Sequence, residues 1–262
     1  MLIRVDRLCA NSIISSAVMI VGILAKGFNR RNSSHSRIYN YGQFANVLKR
    51  VDVTKLDGLP FGGALTMSFP TGATVVGIKC TDGVVVATDS LISWGTLVLS
   101  EKGIKAFKLT DTIVLASAGL VSDYQMLVNR LQAQIKLYEL NQKKSITVKA
   151  LAKMLANTLY SIRMTPLYVQ TVVIGMDPTG PQMFSLDMGG SLIPEDITAT
   201  GTGDRTAYGV LENNYRPDIT VKEAEEIAIK AVRAGIARDI QSGGDIRVMS
   251  VTKAGVTEHV VA

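Results

Sequence analysis

The chain has 262 residues, 47% hydrophobic and 19% charged, which is enough apolar material for a sizeable core and too little charge for wholesale disorder. Its formal net charge of +6 lies in residues 1–72, which hold nine Lys/Arg and three Asp/Glu; the remaining 190 residues carry 19 side chains of each sign and are neutral. That excludes a basic nucleic-acid stripe after residue 72. Two cysteines (Cys9, Cys80) and two histidines (His35, His259) in separate regions exclude a disulfide framework, a CxxC metal pair and a histidine-based metal or triad site.

The leader is open to three readings. Leu8 to Ala25 is an apolar run interrupted by Asn11, Ser12, Ser15 and Ser16, with Arg4 and Arg7 before it and Lys26, Arg30 and Arg31 after it. A short membrane helix or a signal h-region is the first reading. The short length, the positive charge on both sides and the lack of an A-x-A cleavage site stand against it. Residues 27–66 are rich in Ser, Asn and Arg, show little periodicity, and read as loop or disorder. The second reading makes residues 1–72 a removable or miscalled leader. The third starts translation at Met67 and leaves a leader of six residues, Met67 to Gly72. In either of the last two, the globular domain is 73–262.

From residue 74 the pattern is regular. Thr74–Ile78 and Gly83–Asp89 are β-branched runs around Thr81-Asp82-Gly83, a strong hairpin signature. Short strands follow at Leu97–Ser100, Ile104–Leu109 and Thr112–Ala118, and the whole stretch reads as an antiparallel meander. Ser122-Asp123-Tyr124-Gln125 has the pattern of a capping box opening a helix, with Leu127, Leu131, Ile135 and Tyr138 on one face. Thr147 opens a second helix carrying Leu151, Met154, Leu155, Thr158, Leu159 and Ile162 at helical spacing, and Pro166 closes the region. Strands return at Val169–Met176, Gln182–Asp187 and Asp196–Thr200. A short helix covers Thr206–Asn214. Thr220-Val221-Lys222-Glu223 is a capping box for a long helix reaching about Gln241, with a small-residue face of Ala224, Ala228, Ala231 and Gly235. Ile246–Thr252 and Val256–Val261 form a closing hairpin. Strands apolar on both faces need cover on both sides, so the fold class expected is α+β: a four-layer αββα sandwich of two sheets between helix layers.

Three spots carry polar groups of interest. Asp89 and Lys105 are single charges in apolar strands, and if buried they need each other or other polar partners. A structural ion pair, or strand ends reaching solvent, is one reading; a lysine held beside a nucleophile is the other. Gly201-Thr202-Gly203-Asp204-Arg205 enters a helix, but it matches no phosphate-loop spacing and reads as a tight turn. Arg238 to Gly244 alone reads as a helix end with a glycine stop.

In combination and in order, these motifs resemble the proteasome β-subunit family, archaeal type, over residues 73–262. The matches are ThrValValGlyIle at 74–78, ValAlaThrAsp at 86–89, Lys105, SerAlaGlyLeu at 117–120 followed by Asp123, GlyThrGly at 201–203, TyrGlyValLeuGlu at 208–212 and ArgAspXaaXaaSerGlyGly at 238–244. The resemblance implies an N-terminal-nucleophile hydrolase: a leader is cut after a glycine, and the exposed threonine attacks a peptide carbonyl with its own amine as base. It implies that Lys105 and Asp89 activate the nucleophile and that Thr202, Asp239 and Ser242 orient the amine. It also implies that the Gly119 N–H holds the oxyanion, that substrate backbone pairs with Ser93 and Gly119, and that Ile92, Phe107, Ser117 and Val121 line the side-chain pocket. No cofactor or metal is implied. The implied setting is cytoplasmic: heptameric rings stacked in a barrel with other β and α-ring subunits, unfolded protein substrates, and an ATP-dependent regulatory particle acting through the α ring. Neither nucleic acid nor membrane is a partner.

Two residues depart from the family pattern. Thr202 stands where a serine is usual and keeps the hydroxyl. Ala73 stands at the nucleophile position and has none. Three readings follow: a non-catalytic ring subunit, an active threonine endopeptidase using Thr74, or an engineered Thr-to-Ala form of an active enzyme. Neighbouring side chains on a strand face opposite ways, so Thr74 serves only after a one-residue slip.

Overall fold

A computed structural model describes residues 71–262, all within the compact unit Met67–Ala262. The leader readings, including the apolar run at 8–25 and the start at Met67, lie outside the described residues.

Strands β1 (Thr74–Lys79) and β2 (Gly83–Asp89) form the antiparallel hairpin expected around Asp82-Gly83. The Cys80 amide closes the turn on the Gly83 carbonyl at 2.9 Å. The chain then leaves this sheet. Strands β3 (Ile92–Trp94) and β4 (Leu97–Ser100) pair with each other in a separate two-stranded ribbon. Strands β5 (Ala106–Lys108) and β6 (Ile113–Gly119) open a second five-stranded sheet. The meander read from the sequence is corrected: its strands are divided among three sheets. Local pattern marks a strand, but packing against distant elements chooses its partner. The three-residue β3 was not anticipated, and the strand expected over 104–109 is confined to Ala106–Lys108.

Helix α1 (Val121–Gln142) begins one residue before the expected cap. Leu120 is its N-cap and makes no side-chain bond, so the Ser122 capping box does not form. Asp123 instead accepts the Tyr168 amide at 2.8 Å, which ties the first turn to the chain entering the next strand. Helix α2 (Val148–Ser161) is capped as expected by the Thr147 hydroxyl, which accepts from the Ala150 amide. Strands β7 (Val169–Asp177), β8 (Gly180–Leu186), β9 (Ile193–Pro194) and β10 (Ile197–Gly201) lead to helix α3 (Asp204–Asn214). Helix α4 (Val221–Ile236) carries the expected Thr220/Glu223 capping box but ends at Ile236, short of Gln241. The amides of Arg238 and Asp239 both turn onto the Gly235 carbonyl, so residues 239–244 become a loop. Strands β11 (Ile246–Thr252) and β12 (Gly255–Val261) finish the described chain.

The first large sheet has the order β10-β1-β2-β11-β12 and the second β5-β6-β7-β8-β9, with antiparallel pairing throughout. Three apolar layers hold them. Val75, Val84, Val86, Val114, Val172 and Met249 fill the space between the sheets. Leu115, Leu127, Leu131, Leu155 and Val173 join the second sheet to α1 and α2. Val76, Ile78, Val85, Ala228 and Val232 join the first sheet to α3 and α4. This is the four-layer αββα sandwich expected from strands apolar on both faces. The two-residue alternation along β1 sends Ala73 and Val75 toward the second sheet and Val76 toward the helices.

Candidate active site

Asp89 ends β2 and is 0% exposed; Lys105 precedes β5 and is 3% exposed. Their strands lie in different sheets, and the space between the sheets at this end brings them together. Lys105 Nζ donates to Asp89 Oδ1 at 2.7 Å. A buried charge with no partner would be costly, and here neither group is alone. Asp89 accepts three backbone amides as well: Thr74 N at 2.9 Å on Oδ1, and Leu91 N at 3.3 Å and Gly243 N at 3.0 Å on Oδ2. The glycines of 238–244, which read alone as a helix stop, thus supply a donor to the buried carboxylate. Burial pulls the Lys105 ammonium below its ordinary pKa of 10.5, against the opposing pull of Asp89 and then Asp239. Lys105 Nζ also points to the Gly72 carbonyl, 3.4 Å away.

A second polar cluster flanks the start of β1. Ser242 Oγ donates to Asp239 Oδ2 at 2.6 Å, and the Thr202 hydroxyl bonds the same oxygen. The Ala73 amide donates to Thr202 Oγ1 at 3.2 Å, and Gly203 N donates to the Ala73 carbonyl at 3.3 Å. The loop before α3 is therefore occupied with holding residue 73. Thr74 Oγ1 lies 2.8 Å from Ser242 Oγ. It sits on the helix side of β1, where a Cβ at Gly203 or Gly235 would come within 2.0 or 2.6 Å of it. Thr74 is 0% exposed, and its amide is spent on Asp89.

Asp89, Lys105, Thr202, Asp239 and Ser242 thus converge around Ala73 and the Gly72–Ala73 peptide bond, while the Thr74 hydroxyl is directed away from Lys105. A cavity of about 190 Å³ adjoins this bond, lined by Thr71, Gly72, Ala73, Gly119, Gln170 and Thr202 among others. Gly119 has φ +127°, and a Cβ there would meet the Tyr168 carbonyl oxygen at 2.1 Å, so only glycine fits. Ser93 is buried with its hydroxyl unpartnered among the described residues. Ile92 packs close to Gly103. Phe107 and Val121 lie against the core under α1 and α2, and the Ser117 hydroxyl donates to the Gln170 carbonyl at 3.4 Å. No direct bond ties these four to the polar cluster. Sequence reasoning missed Tyr124, whose ring lies 5.8 Å from that of Phe107 and tilted by 48° to it, and Gln170, whose Oε1 accepts from Thr200 Oγ1 at 2.6 Å and Gly201 N at 3.2 Å. Nothing in a lone Tyr or Gln marks such a place. Among the described residues no cluster of His, Cys, Asp and Glu could hold a metal, and no helix is long and apolar enough to cross a membrane.

Comparison with known proteins bears directly on this arrangement. The family model described as "Proteasome subunit" matches residues 69–251. "Proteasome subunit beta" of Archaeoglobus profundus is 43% identical over 188 residues, covering 71% of this chain and 87% of the relative. "Proteasome subunit beta 2" of Pyrobaculum neutrophilum is 43% identical over 193 residues, covering 74% and 95%. "Proteasome subunit beta" of Methanosphaera stadtmanae is 43% identical over 185 residues, covering 71% and 89%. With the sandwich, the buried Asp89–Lys105 pair and the family match all falling on the same stretch, the chain belongs to the proteasome subunit family, as a β-type member.

Proposed function

We propose that this chain fills a β-ring position in a proteasome core particle as a non-catalytic subunit. It stands beside a separate active β subunit and against the α ring, and takes part in protein degradation without cutting peptide bonds itself. Family membership carries assembly with other proteasome subunits and threonine-type peptidase chemistry in the complex. The finer setting is part of the proposal: heptameric rings in a barrel, unfolded protein substrates, an ATP-dependent regulatory particle engaging the α ring, and a cytoplasmic location. So is the extent of the domain, residues 73–262, behind a leader of 1–72.

The observation that carries this reading is Ala73. Acyl transfer needs an atom with a lone pair at this point to attack the carbonyl, and a methyl group has none. Everything around it suits the reaction. With a hydroxyl at residue 73, attack on a peptide carbonyl would send the proton to the chain's own amine. Thr202, Asp239 and Ser242 orient that amine, consistent with the bond from Ala73 N to Thr202. Lys105, lowered in pKa by burial and anchored by Asp89, stabilises the developing charge. The Gly119 N–H takes the role of oxyanion donor. Water then releases the acyl group. Ser93 and Gly119 pair with the substrate backbone, and Ile92, Phe107, Ser117 and Val121 line the side-chain pocket.

Thr74 is a poor substitute. Its hydroxyl is buried against Ser242 on the other face of β1, and its amide is held by Asp89. The intact frame also fits an engineered form of an active enzyme with alanine in place of the nucleophile. The test is reconstitution with an α ring, with and without a second β subunit. This chain alone is expected to give no peptide hydrolysis. Hydrolysis by this chain alone, abolished by Thr74→Ala, would overturn the reading.

A further inference from the structure

Gln170 is the second residue of β7, where it stands opposite Ala118, and it lines the cavity beside the Gly72–Ala73 bond. Its backbone belongs to the second sheet, but its side chain reaches the first. Oε1 accepts from Thr200 Oγ1 at 2.6 Å and from Gly201 N at 3.2 Å, both at the end of β10. A backbone N–H can only donate, so the atom facing Gly201 is the amide oxygen. The segment that Gln170 holds is the one that closes on residue 73. Gly201 pairs with Thr74 and has φ +100°, and a Cβ there would stand 2.1 Å from the Ala73 carbonyl oxygen. Thr202 Oγ1 accepts the Ala73 amide at 3.2 Å, and Gly203 N donates to the Ala73 carbonyl at 3.3 Å. Thr202 thus sits between two glycines, the residues with the most backbone freedom, and its place depends on what holds each side. Asp239 fixes its hydroxyl from the loop after α4. Gln170 fixes the two residues before it from the opposite sheet.

We propose that Gln170 is a positioning residue of this site: by pinning Thr200 and Gly201 across the cleft it sets where Thr202 Oγ1 stands, and so the direction of the residue-73 nitrogen. It acts through Thr202 rather than on the reacting atoms. The inference rests on the reading above, in which that nitrogen becomes the base once a hydroxyl stands at residue 73. Catalysis is sensitive to such placement: about 1 Å of misplacement can cost on the order of 100-fold in rate. Substrate backbone would still pair with Ser93 and Gly119, so the loss belongs to kcat and KM is kept.

The test uses assembled particles carrying Ala73→Thr, with the threonine of any active partner subunit blocked and the processed chains counted by intact mass. Gln170→Met keeps the length of the side chain and removes the acceptor. It is expected to slow peptide hydrolysis per processed chain about tenfold or more in kcat, with KM within about twofold. Gln170→Glu keeps an oxygen for both donors and is expected to restore kcat to within about threefold at about pH 8. An unchanged kcat in Gln170→Met overturns the proposal, as does a Gln170→Glu chain as slow as Gln170→Met. A loss only in the number of assembled particles, with kcat unchanged, marks a brace of the fold and overturns it too. Thr200→Val, which removes one of the two donors, replaces Gln170→Met should the latter not assemble, and an unchanged kcat there has the same meaning. If Ala73→Thr alone cuts nothing, the proposed function fails, and the clasp is read in the Ala73 chain by amide hydrogen exchange. Exchange at Ala73 and Gly201 is then expected to be about tenfold faster in Gln170→Met and unchanged in Gln170→Glu. Equal exchange in the two variants overturns the proposal.

Discussion

Asp89 and Lys105 show why a single residue can matter more than its neighbours here. The pair is closed off from water, and Asp89 also gathers three amides from three segments of chain. Removing one partner leaves a charge buried without compensation, which typically costs about 3–5 kcal/mol. Asp89→Asn and Lys105→Met should each lower stability by about that amount in denaturant unfolding, while the exposed pair Lys79–Asp196 should contribute at most about 1 kcal/mol. Equal effects at the two pairs would contradict the assignment of burial. The pairing of Asp89 with Lys105 was legible from the sequence, because lone charges in apolar strands must find partners. The Gly243 amide on Asp89 was not: it crosses 154 positions, and glycines at a helix end have an ordinary local explanation.

At the scale of elements, the two capping patterns had opposite outcomes. Both have a hydroxyl residue followed three positions later by Glu or Gln. At Thr220 both reciprocal bonds form. At Ser122 the chain is already helical, because Asp123 fastens the first turn to Tyr168. The local motif cannot reveal a tertiary bond of that kind. The Thr220 box makes a pH prediction. The Thr220 amide, and then its hydroxyl, hold the Glu223 carboxyl below its ordinary 4.5. A depressed folded pKa means that the stabilisation is present above about pH 4.5 and is lost as the pH falls through the folded value. Glu223→Gln should flatten that acid limb in thermal melts recorded between pH 3 and 6; an unchanged limb would rule out this source. The small face of α4 was also legible, and Gly235 explains its tightness. A Cβ there meets Thr74 Oγ1 at 2.6 Å and Cγ2 at 2.8 Å. Gly235→Ala gains about 0.5–1 kcal/mol in helix propensity but costs about 1–3 kcal/mol in overpacking, so overpacking wins. A fall in melting temperature of a few degrees is expected. A rise would mean that β1 yields easily at Thr74.

For the whole molecule, the four layers follow from strands apolar on both faces, and the sequence pattern conveyed that much. The division of β1 to β6 among three sheets was not legible, because strand pattern identifies faces and leaves partners open. The layers also set the site. The end of the cleft between the sheets gathers Asp89 from one sheet and Lys105 from the edge of the other, and α4 leads into the loop that carries Asp239 and Ser242. The frame is drawn from several elements, and it surrounds an alanine. The central claim is that this frame is competent and lacks only the reacting atom. Intact mass of the Ala73→Thr chain in a reconstituted particle tests it most directly. The account predicts that the chain with Ala73 keeps its Gly72–Ala73 bond and that the Ala73→Thr chain begins at residue 73. An Ala73→Thr chain that keeps the bond, or a chain with Ala73 that is cut after Ala73, begins at Thr74 and hydrolyses peptides, would contradict it.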